Sequence, residues 1–184
     1  MSSGARIYAD YNATAPLRAE AKAAMVSALG LTGNPSSVHA EGRKARALVE
    51  TAREAIAAAI GACRDDIALT GGGTEAVALA LRGALRAVGN AKVITSAIEH
   101  DAVTTIAGDV SAWPVKSNGV VDLDWLRAEV TAAAGRGERP LVSLMLVNNE
   151  TGVIQPVAEA ADIAHMAGGL IHCDAIQALG KVEV

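Results

Sequence analysis

Polar or flexible residues follow four apolar runs of the sequence, at the points where strands would end. The loop "TGGGTEA" (70–76) follows "DIAL", and His100 follows "KVITS". Asn149 follows "LVSLMLV", and Asp174 follows "LIHC", with Gln177 three residues further on. Glycines let a backbone approach an anion closely, an imidazole moves protons near neutral pH, and a carboxylate stabilises a protonated nitrogen. These residue types indicate a site for a ligand with an anionic group and a hydrogen-bonding ring.

A metal site fits this set poorly, because the histidines and carboxylates show no ligand spacing and carboxamides are weak transition-metal ligands. Pyridoxal phosphate fits better. A helix start after the glycines would bind its phosphate, and a carboxylate would keep its pyridine nitrogen protonated so that the ring acts as an electron sink. Two features have a second interpretation: the glycine loop lacks the GxGxxG and P-loop patterns and also suits a plain tight turn, and His100 also suits a structural role at a helix start.

These positions require a sheet whose strands end near one another. Short β-rich runs alternate with helical ones after Gly61, and the predicted strands are "DIALT", "KVITS", "AWPV", "LVSLMLV" and "LIHCD". We therefore predict an α/β fold with a mostly parallel sheet and flanking helices. Ligands of such sheets bind outside the carboxyl ends of the strands, where the polar residues lie.

Two helices are predicted before the sheet. The stretch "LRAEAKAAMVSALG" is Ala-rich and closes at Gly30, and apolar positions recur at helical spacing from Val38 to Ile60. We predict an N-terminal arm with helices over residues 1–60 and an α/β cofactor-binding domain over residues 61–184.

Composition excludes several classes of protein. The chain is 51% hydrophobic and 20% charged, as expected for a globular protein, and its net charge of -4 offers no basic surface for nucleic acid. No apolar run approaches the roughly 20 residues of a membrane span. The start "MSSGARIYAD" lacks the apolar core of a signal peptide, which predicts a cytoplasmic protein.

The two cysteines, Cys63 and Cys173, have no CxxC spacing, and we predict that both are small buried residues. Alternate residues of a strand face opposite sides, so Cys173 should face away from Asp174 and into the packing. His172 shares a face with Asp174 but lies deeper in the strand, where we predict a hydrogen-bonded core histidine.

Six segments, in the same order as in one enzyme family, together cover nearly the whole chain. They are "YADYNATAPL", "GNPSSVHAEGRKARALVETAREAIA", "LTGGGTEAVALAL", "VITSAIEHDAV", "VNNETGVIQPV" and "IHCDAIQALGKV". In these segments the sequence resembles the cysteine desulfurases, which are pyridoxal-phosphate enzymes of the class V aminotransferase fold. Those enzymes take sulfur from L-cysteine, leave L-alanine and supply iron–sulfur cluster assembly. The resemblance implies the large domain of the pyridoxal-phosphate transferases, here incomplete and represented by its N-terminal portion.

The resemblance assigns roles to the residues at the strand ends. It implies that Gly73 and Thr74 contact the cofactor phosphate. It also implies that His100 is catalytic, since it stacks on the pyridine ring and takes part in proton transfer, and that Asp174 pairs with the pyridine nitrogen.

On the phenolic side of the cofactor, the implied contacts are Asn149 and Gln177. Asn148 and Glu150 are interpreted as supports of the turn after the strand, and Gly152 as the residue that permits it.

The N-terminal arm contributes one further implied site. Asn12 and Ala13 lie in "DYNATAP", which resembles the family segment near the substrate, and "GNPSS" resembles a loop close to the active site.

The sequence departs from the family pattern in two respects. Family members usually have Ser-Gly-Ala-Thr-Glu-Ser at the glycine loop, whereas residues 71–76 read "GGGTEA", which keeps Thr74 but loses two hydroxyls. Family members also carry a Schiff-base lysine in a Ser-x-His-Lys segment shortly beyond the position of Val184, then a catalytic cysteine and a small C-terminal domain. Residues 1–184 stop before these features, so we expect them to be inactive when taken alone.

The resemblance also implies partners, namely L-cysteine as substrate, a protein that accepts the sulfur, and a second copy of the chain in a homodimer. Two alternatives remain open from the sequence. One is another class V enzyme, such as an aminotransferase or a selenocysteine lyase. The other is a truncated, non-catalytic α/β module.

Overall fold

The computed structural model describes residues 6–108 and 110–184, so that the first five residues of "MSSGARIYAD" lie outside the description. The chain forms two compact units, one that ends at Leu69 and one that begins at Thr70. None of the helices in these described ranges is both long enough and apolar enough to cross a bilayer.

The first unit contains the two predicted helices. Helix α1 spans Ala19–Leu29 and ends at Gly30. Helix α2 spans Ala40–Ile60, two residues shorter at its start than predicted, because His39 is its N-cap and accepts a hydrogen bond from the N–H of Gly42. The C-cap of α2, Gly61, has a φ of 68°, a left-handed conformation that favours glycine. Both helix predictions are confirmed.

The loop "GNPSS" is held against the start of α2. A Cβ placed on Gly42 would lie 2.4 Å from the carbonyl oxygen of Ser37, so only glycine allows this close approach. The Nε of Arg46 donates to the carbonyl of Pro35 at 2.8 Å. A short 3₁₀ turn, Arg64–Asp66, follows α2, and Arg64 lies within ion-pair distance of Glu50.

The second unit alternates helices and strands, as the sequence predicts. Its elements are α3 (Gly73–Val88), β1 (Ala91–Ser96), α4 (Asp101–Ala107), β2 (Ser111–Trp113), α5 (Leu123–Gly135), β3 (Arg139–Met145), α6 (Val157–Met166) and β4 (Leu170–Asp174). The four strands form one parallel sheet in the order β2-β1-β3-β4. The predicted fold class is confirmed.

The order of the strands places a crevice between β1 and β3. The chain passes from β1 to β2 on one side of β1 and then returns to form β3 on the other side. Such a reversal separates the loops that follow the two central strands, and ligands of open α/β sheets bind there.

Helices cover both faces of the sheet. One cluster of buried residues, which includes Leu126, Val142 and Ile163, joins the sheet to α5 and α6. The other, which includes Leu81 and Leu141, joins it to α3 and α4. Leu141 and Val142 are consecutive in β3 and contribute to opposite clusters, so the apolar run of this strand is explained by burial on both sides.

One predicted strand does not form. "DIALT" was expected to be a strand, but the chain from Ile67 to Thr70 joins no β-ladder in the described residues, although Ile67 itself has extended dihedral angles. A segment with strand composition forms a strand only when a neighbouring strand supplies hydrogen-bond partners. The four strands of the sheet pair with one another, and among the described residues none of them pairs with residues 66–70.

Candidate cofactor site

A pocket of about 450 Å³ opens at the crevice between β1 and β3. Its lining comes from the loop after β1 and the loop after β3, and consists of Ile98, Glu99, His100, Asp101, Asn148, Asn149, Glu150 and Thr151. The structure therefore brings together His100 and Asn149, two of the residues that the sequence predicts for the site.

Asn148 builds the turn that follows β3. Its side-chain oxygen accepts from the N–H of Glu150 at 3.0 Å and from the N–H and hydroxyl of Thr151 at 2.8 and 3.0 Å. Gly152 closes the turn with a φ of 72°. Asn148 is only 6% exposed, and its amide donates to the carbonyl of Ile98 at 3.2 Å. The predicted supporting roles of Asn148 and Gly152 are confirmed.

The neighbouring Asn149 is half-buried and points its amide at a different partner. Its Nδ2 donates to a carboxylate oxygen of Glu150 at 2.8 Å. The two asparagines therefore differ in role: Asn148 stabilises the turn, and Asn149 presents its carboxamide at the pocket wall.

His100 is the N-cap of α4, and it is exposed at the pocket. Its Nδ1 accepts from the N–H of Ala102 at 3.1 Å, so a neutral imidazole carries its proton on Nε2. Through this contact His100 caps the start of α4, which is the structural role that the sequence offered as an alternative. It also leaves Nε2 as the nitrogen available to a ligand, so both interpretations of His100 are compatible.

Glu99 also lines the pocket, and the sequence assigned it no role. It is half-buried, and its Oε1 accepts from the hydroxyl of Ser96 at 2.6 Å and from the N–H of Met145 at 2.8 Å. Burial raises the pKa of Glu99; the charge of Asp174 adds to this shift and the two hydrogen bonds oppose it. The only sequence signal was its place beside His100 at a strand end.

Asp174 ends β4 on the face of the sheet that α3 and α4 cover. It pairs with Met145, and it lies two residues after His172, which pairs with Ser143. Its Oδ1 accepts from the N–H of Ile176 at 3.0 Å, and the residue is half-buried. Its pairing partner Met145 donates its N–H to Glu99 at 2.8 Å, so Asp174 ends β4 beside the strand end that borders the pocket, although it is not among the residues that line the pocket.

The glycine loop reaches the same region through Ile176. A Cβ placed on Gly73 would lie 2.1 Å from the Cδ1 of Ile176, so the start of α3 packs directly behind the end of β4. Gly73 is the first residue of this 16-residue helix, and its N-cap is Gly72, which has no side chain to cover the free N–H groups. Thr74 is exposed beside them. A phosphate at this position would meet N–H groups and the positive end of the helix dipole.

Within the loop itself, Glu75 folds back on the chain. Its Oε2 accepts from the N–H of Gly71 at 2.6 Å, and the hydroxyl of Thr70 donates to the carbonyl of Gly72 at 3.1 Å. These contacts are exposed, so the loop is ordered by short-range bonds at its surface.

Gln177 lies beyond β4 in the turn that follows Asp174. Its Oε1 accepts from the Nζ of Lys181, and the residue is half-buried. It is close to Asp174 in sequence, but it is not among the residues that line the pocket.

The structure corrects the prediction that both cysteines are buried, because Cys63 and Cys173 are exposed. β4 is the last strand of the sheet, so a side chain near its end is covered from one side only. Partial desolvation of the Cys173 thiol, with the nearby carboxylates Asp174 and Glu99, raises its pKa to about 11. Such a thiol is a weak nucleophile near neutral pH.

His172 is half-buried and hydrogen-bonded, as predicted. Its Nδ1 lies 2.9 Å from the hydroxyl oxygen of Ser143 on the neighbouring strand. Burial lowers the pKa of His172, and the charge of Asp174 opposes that shift.

Asn12 and Ala13 lie in the first unit, within a turn. The N–H of Ala13 donates to the carboxylate of Asp10 at 3.1 Å, and the Tyr8 hydroxyl donates to the carbonyls of Asp10 and Thr14 at 2.6 and 2.9 Å. The turn is thus ordered locally, and the contact of Asn12 and Ala13 with substrate stays a prediction.

The described residues fit pyridoxal phosphate. The start of α3 offers N–H groups and a small-residue surface for the phosphate, Asp174 offers a carboxylate for the pyridine nitrogen, and His100 offers an exposed imidazole. The arrangement can bind an anion and a protonated ring nitrogen and can move a proton at Nε2 of His100.

Comparison with known proteins agrees with this geometry. The family model described as aminotransferase class-V matches residues 7–184. A cysteine desulfurase from Cereibacter sphaeroides is 41% identical over 97% of this chain and 48% of its own length. A selenocysteine lyase from Bos taurus is 38% identical over 97% of this chain and 49% of its own length. The crystal structure of a NifS-like protein from Rickettsia africae aligns with a TM-score of 0.85 and 31% identity over 95% of this chain and 49% of that one.

The chain thus spans about half the length of the relatives it matches. The resemblance to cysteine desulfurases and to the N-terminal portion of their large domain is confirmed. The prediction of pyridoxal 5′-phosphate as cofactor is confirmed at the level of the family. A match over almost the whole chain, together with a sheet whose strand ends carry the expected residues, leads to one conclusion: the chain belongs to the aminotransferase class V family.

Proposed function

We propose that the complete protein containing this chain is a cysteine desulfurase that converts L-cysteine to L-alanine and passes the sulfur to an acceptor protein as a persulfide. The observation that carries the proposal is the position of Asp174, a carboxylate at the end of β4 that pairs with Met145, whose N–H donates to Glu99 in the pocket between β1 and β3. The 41% identity to a cysteine desulfurase supports the choice of substrate.

When bound, pyridoxal phosphate supplies an electron sink for the bond that breaks at the substrate Cα. Thr74 and the N–H groups at the start of α3 would hold its phosphate, and Asp174 would keep a proton on the pyridine nitrogen. Asn149 and Gln177 would contact the phenolic side. The lysine and the nucleophilic cysteine of the reaction would come from sequence beyond residue 184.

His100 would lie against the ring and hold or move a proton at Nε2, because its Nδ1 is engaged by the N–H of Ala102. This restricts proton transfer to one nitrogen of the imidazole. Asn12 and Ala13 would lie near the bound substrate.

Three further features belong to the same proposal. The complete enzyme would form a homodimer, would act in the cytoplasm, and would deliver its sulfur to iron–sulfur cluster assembly. These rest on the resemblance to the cysteine desulfurases.

The proposal is tested by replacing Asp174 with Ala in the complete protein. We expect alanine formation from L-cysteine to fall by at least about a hundredfold, since the ring would lose the charge that stabilises its protonated nitrogen. A matched control is Asp162→Ala, which removes an exposed carboxylate from α6. Thermal melting would check that both variants fold, and near-normal activity of a folded Asp174→Ala variant would refute the role.

Selenocysteine lyase is the second candidate, because the Bos taurus enzyme is 38% identical to this chain. Parallel assays with L-cysteine and L-selenocysteine would separate the two. A desulfurase releases alanine from both substrates or from cysteine alone, whereas a lyase with strict preference releases it from selenocysteine only.

A further inference from the structure

Glu99 lies where the two halves of the pocket meet. It belongs to the loop after β1, and one of its two hydrogen-bond donors, Met145, is the last residue of β3. The other donor, Ser96, is the last residue of β1. A single oxygen of Glu99 therefore accepts from the carboxyl ends of both strands that border the crevice.

A second contact runs parallel to this one. The amide of Asn148, in the loop after β3, donates to the carbonyl of Ile98 in the loop after β1 at 3.2 Å. Glu99, in the loop after β1, thus bonds to the end of β3, and Asn148, in the loop after β3, bonds to the loop after β1. His100 follows Glu99 directly and Asn149 follows Asn148, so the two predicted cofactor contacts in the pocket are each adjacent to a residue that connects the two loops.

The other carboxylate oxygen of Glu99 makes the residue unusual. Oε2 is buried and has no hydrogen-bond partner among the described residues. Burying an unpaired carboxylate oxygen is unfavourable, so the interactions that hold the Glu99 side chain in place are the two hydrogen bonds at Oε1. The useful atom is Oε1, which a glutamine could also present.

We propose that Glu99 is a positioning residue whose Oε1 bridges the ends of β1 and β3 and thereby fixes His100 and Asn149 on facing walls of the cofactor pocket. The part of this inference that concerns cofactor binding rests on the proposed function. The bridge itself is a property of the fold and can be tested without the cofactor.

The test compares Glu99→Ala with Glu99→Gln in the complete protein. Glutamine keeps an acceptor oxygen for Ser96 and Met145, whereas alanine removes it. Glu159→Ala is the matched control, because it removes an exposed carboxylate from the first turn of α6. Ser96→Ala removes one of the two donors and serves as a second test if Glu99→Ala fails to fold.

The first measurement is hydrogen exchange at the end of β3, resolved at the N–H of Met145. Without the bridge, exchange there should rise about tenfold or more in Glu99→Ala while the N–H groups of the buried middle of β3 change little. Exchange in Glu99→Gln and Glu159→Ala should remain within about threefold of the original protein. A uniform rise across the sheet would indicate general destabilisation and would overturn the proposal.

The second measurement is the affinity of the cofactor-free protein for pyridoxal phosphate, by absorbance titration well below the melting temperature. We expect the Kd to rise about tenfold in Glu99→Ala, less in Ser96→Ala, and less than about threefold in Glu99→Gln. If the Kd rises equally in Glu99→Ala and Glu99→Gln, the charge of Glu99 and not its acceptor oxygen is responsible, and the proposed bridge is wrong. If the original protein binds no pyridoxal phosphate, the proposed function fails, and the exchange measurement still decides the bridge.

Discussion

The two sides of the candidate site are built in different ways. The loops after β1 and β3 are held by half-buried and buried side chains, with Glu99 and Asn148 reaching from one loop to the other. The loop before α3 is held by exposed contacts within itself, chiefly the bond from the N–H of Gly71 to Glu75.

This difference follows from what each side must contact. The strand-end loops present side chains whose orientation matters, and a buried hydrogen bond fixes orientation because its loss is costly. The glycine loop presents backbone N–H groups to an anion, and those are oriented by the helix that they begin. The first side depends on particular buried side chains, and the second depends mainly on backbone N–H groups that its glycines leave accessible.

The largest effect on stability should come from the strand-end side. Asn148→Ala removes the acceptor of the turn and the tie to Ile98, and we expect it to lower the free energy of unfolding by about 2–3 kcal/mol. Asn118→Ala is the matched control, because Asn118 accepts from the N–H of Val120 at 3.1 Å in an exposed turn. Its cost should be below about 1 kcal/mol. Urea unfolding of both variants would measure the difference, and equal costs would contradict the claim that buried hydrogen bonds hold the strand-end side.

A smaller effect should come from adding a side chain to the glycine loop. Gly73→Ala forces its Cβ against Ile176, which is 60% exposed and can move aside, so we expect a loss of about 1 kcal/mol. Gly72→Ala is the control, since its φ of 165° is extended and nothing lies within 4 Å of the new Cβ. Thermal melting should show Gly72→Ala unchanged. Adding Ile176→Ala should relieve Gly73→Ala, and failure to do so would place the strain elsewhere.

The smallest effect is a dependence of stability on pH. Burial raises the pKa of Glu99 from its ordinary 4.5, so the folded state favours the protonated form. The stability that Glu99 contributes relative to Glu99→Gln is therefore full below pH 4.5 and is lost as the pH rises through the raised pKa.

His172 should behave in the opposite way. Burial lowers its pKa from 6.5, so its contribution is present above pH 6.5 and is lost as the pH falls through the lowered pKa. Urea midpoints of Glu99→Gln and His172→Gln, measured against the original protein from pH 4.5 to 7.5, should diverge with opposite slopes. If the urea midpoints of the two variants change with pH in the same direction, the pKa shift of Glu99 or of His172 is contradicted.

Local chemistry made much of the site predictable. The turn after β3 is one example. Asn148 accepts from the N–H of Thr151 and Gly152 has a positive φ, as expected, because an Asx turn depends only on neighbouring residues. His100 at the start of α4 is a similar case, since a cap involves residues two or three positions apart.

Contacts between distant segments were not predictable in this way. Glu99 and Met145 are 46 positions apart, and their hydrogen bond exists because β1 and β3 are neighbours in the sheet. The buried Gln155 is similar, since its side chain joins a loop 34 to 36 positions earlier through Val121 and Gly119. Nothing in the local sequence marks such partners.

The sequence by itself determined the order of helices and strands in the second unit and the polar residues at each strand end, because periodicity, caps and turns depend on neighbouring positions. Only the tertiary structure decided that β1 lies between β2 and β3, that "DIALT" joins no ladder among the described residues, and that Cys173 is exposed at the sheet edge. The physical reason is that pairing and burial are properties of two segments at once, and a single segment does not specify its neighbour.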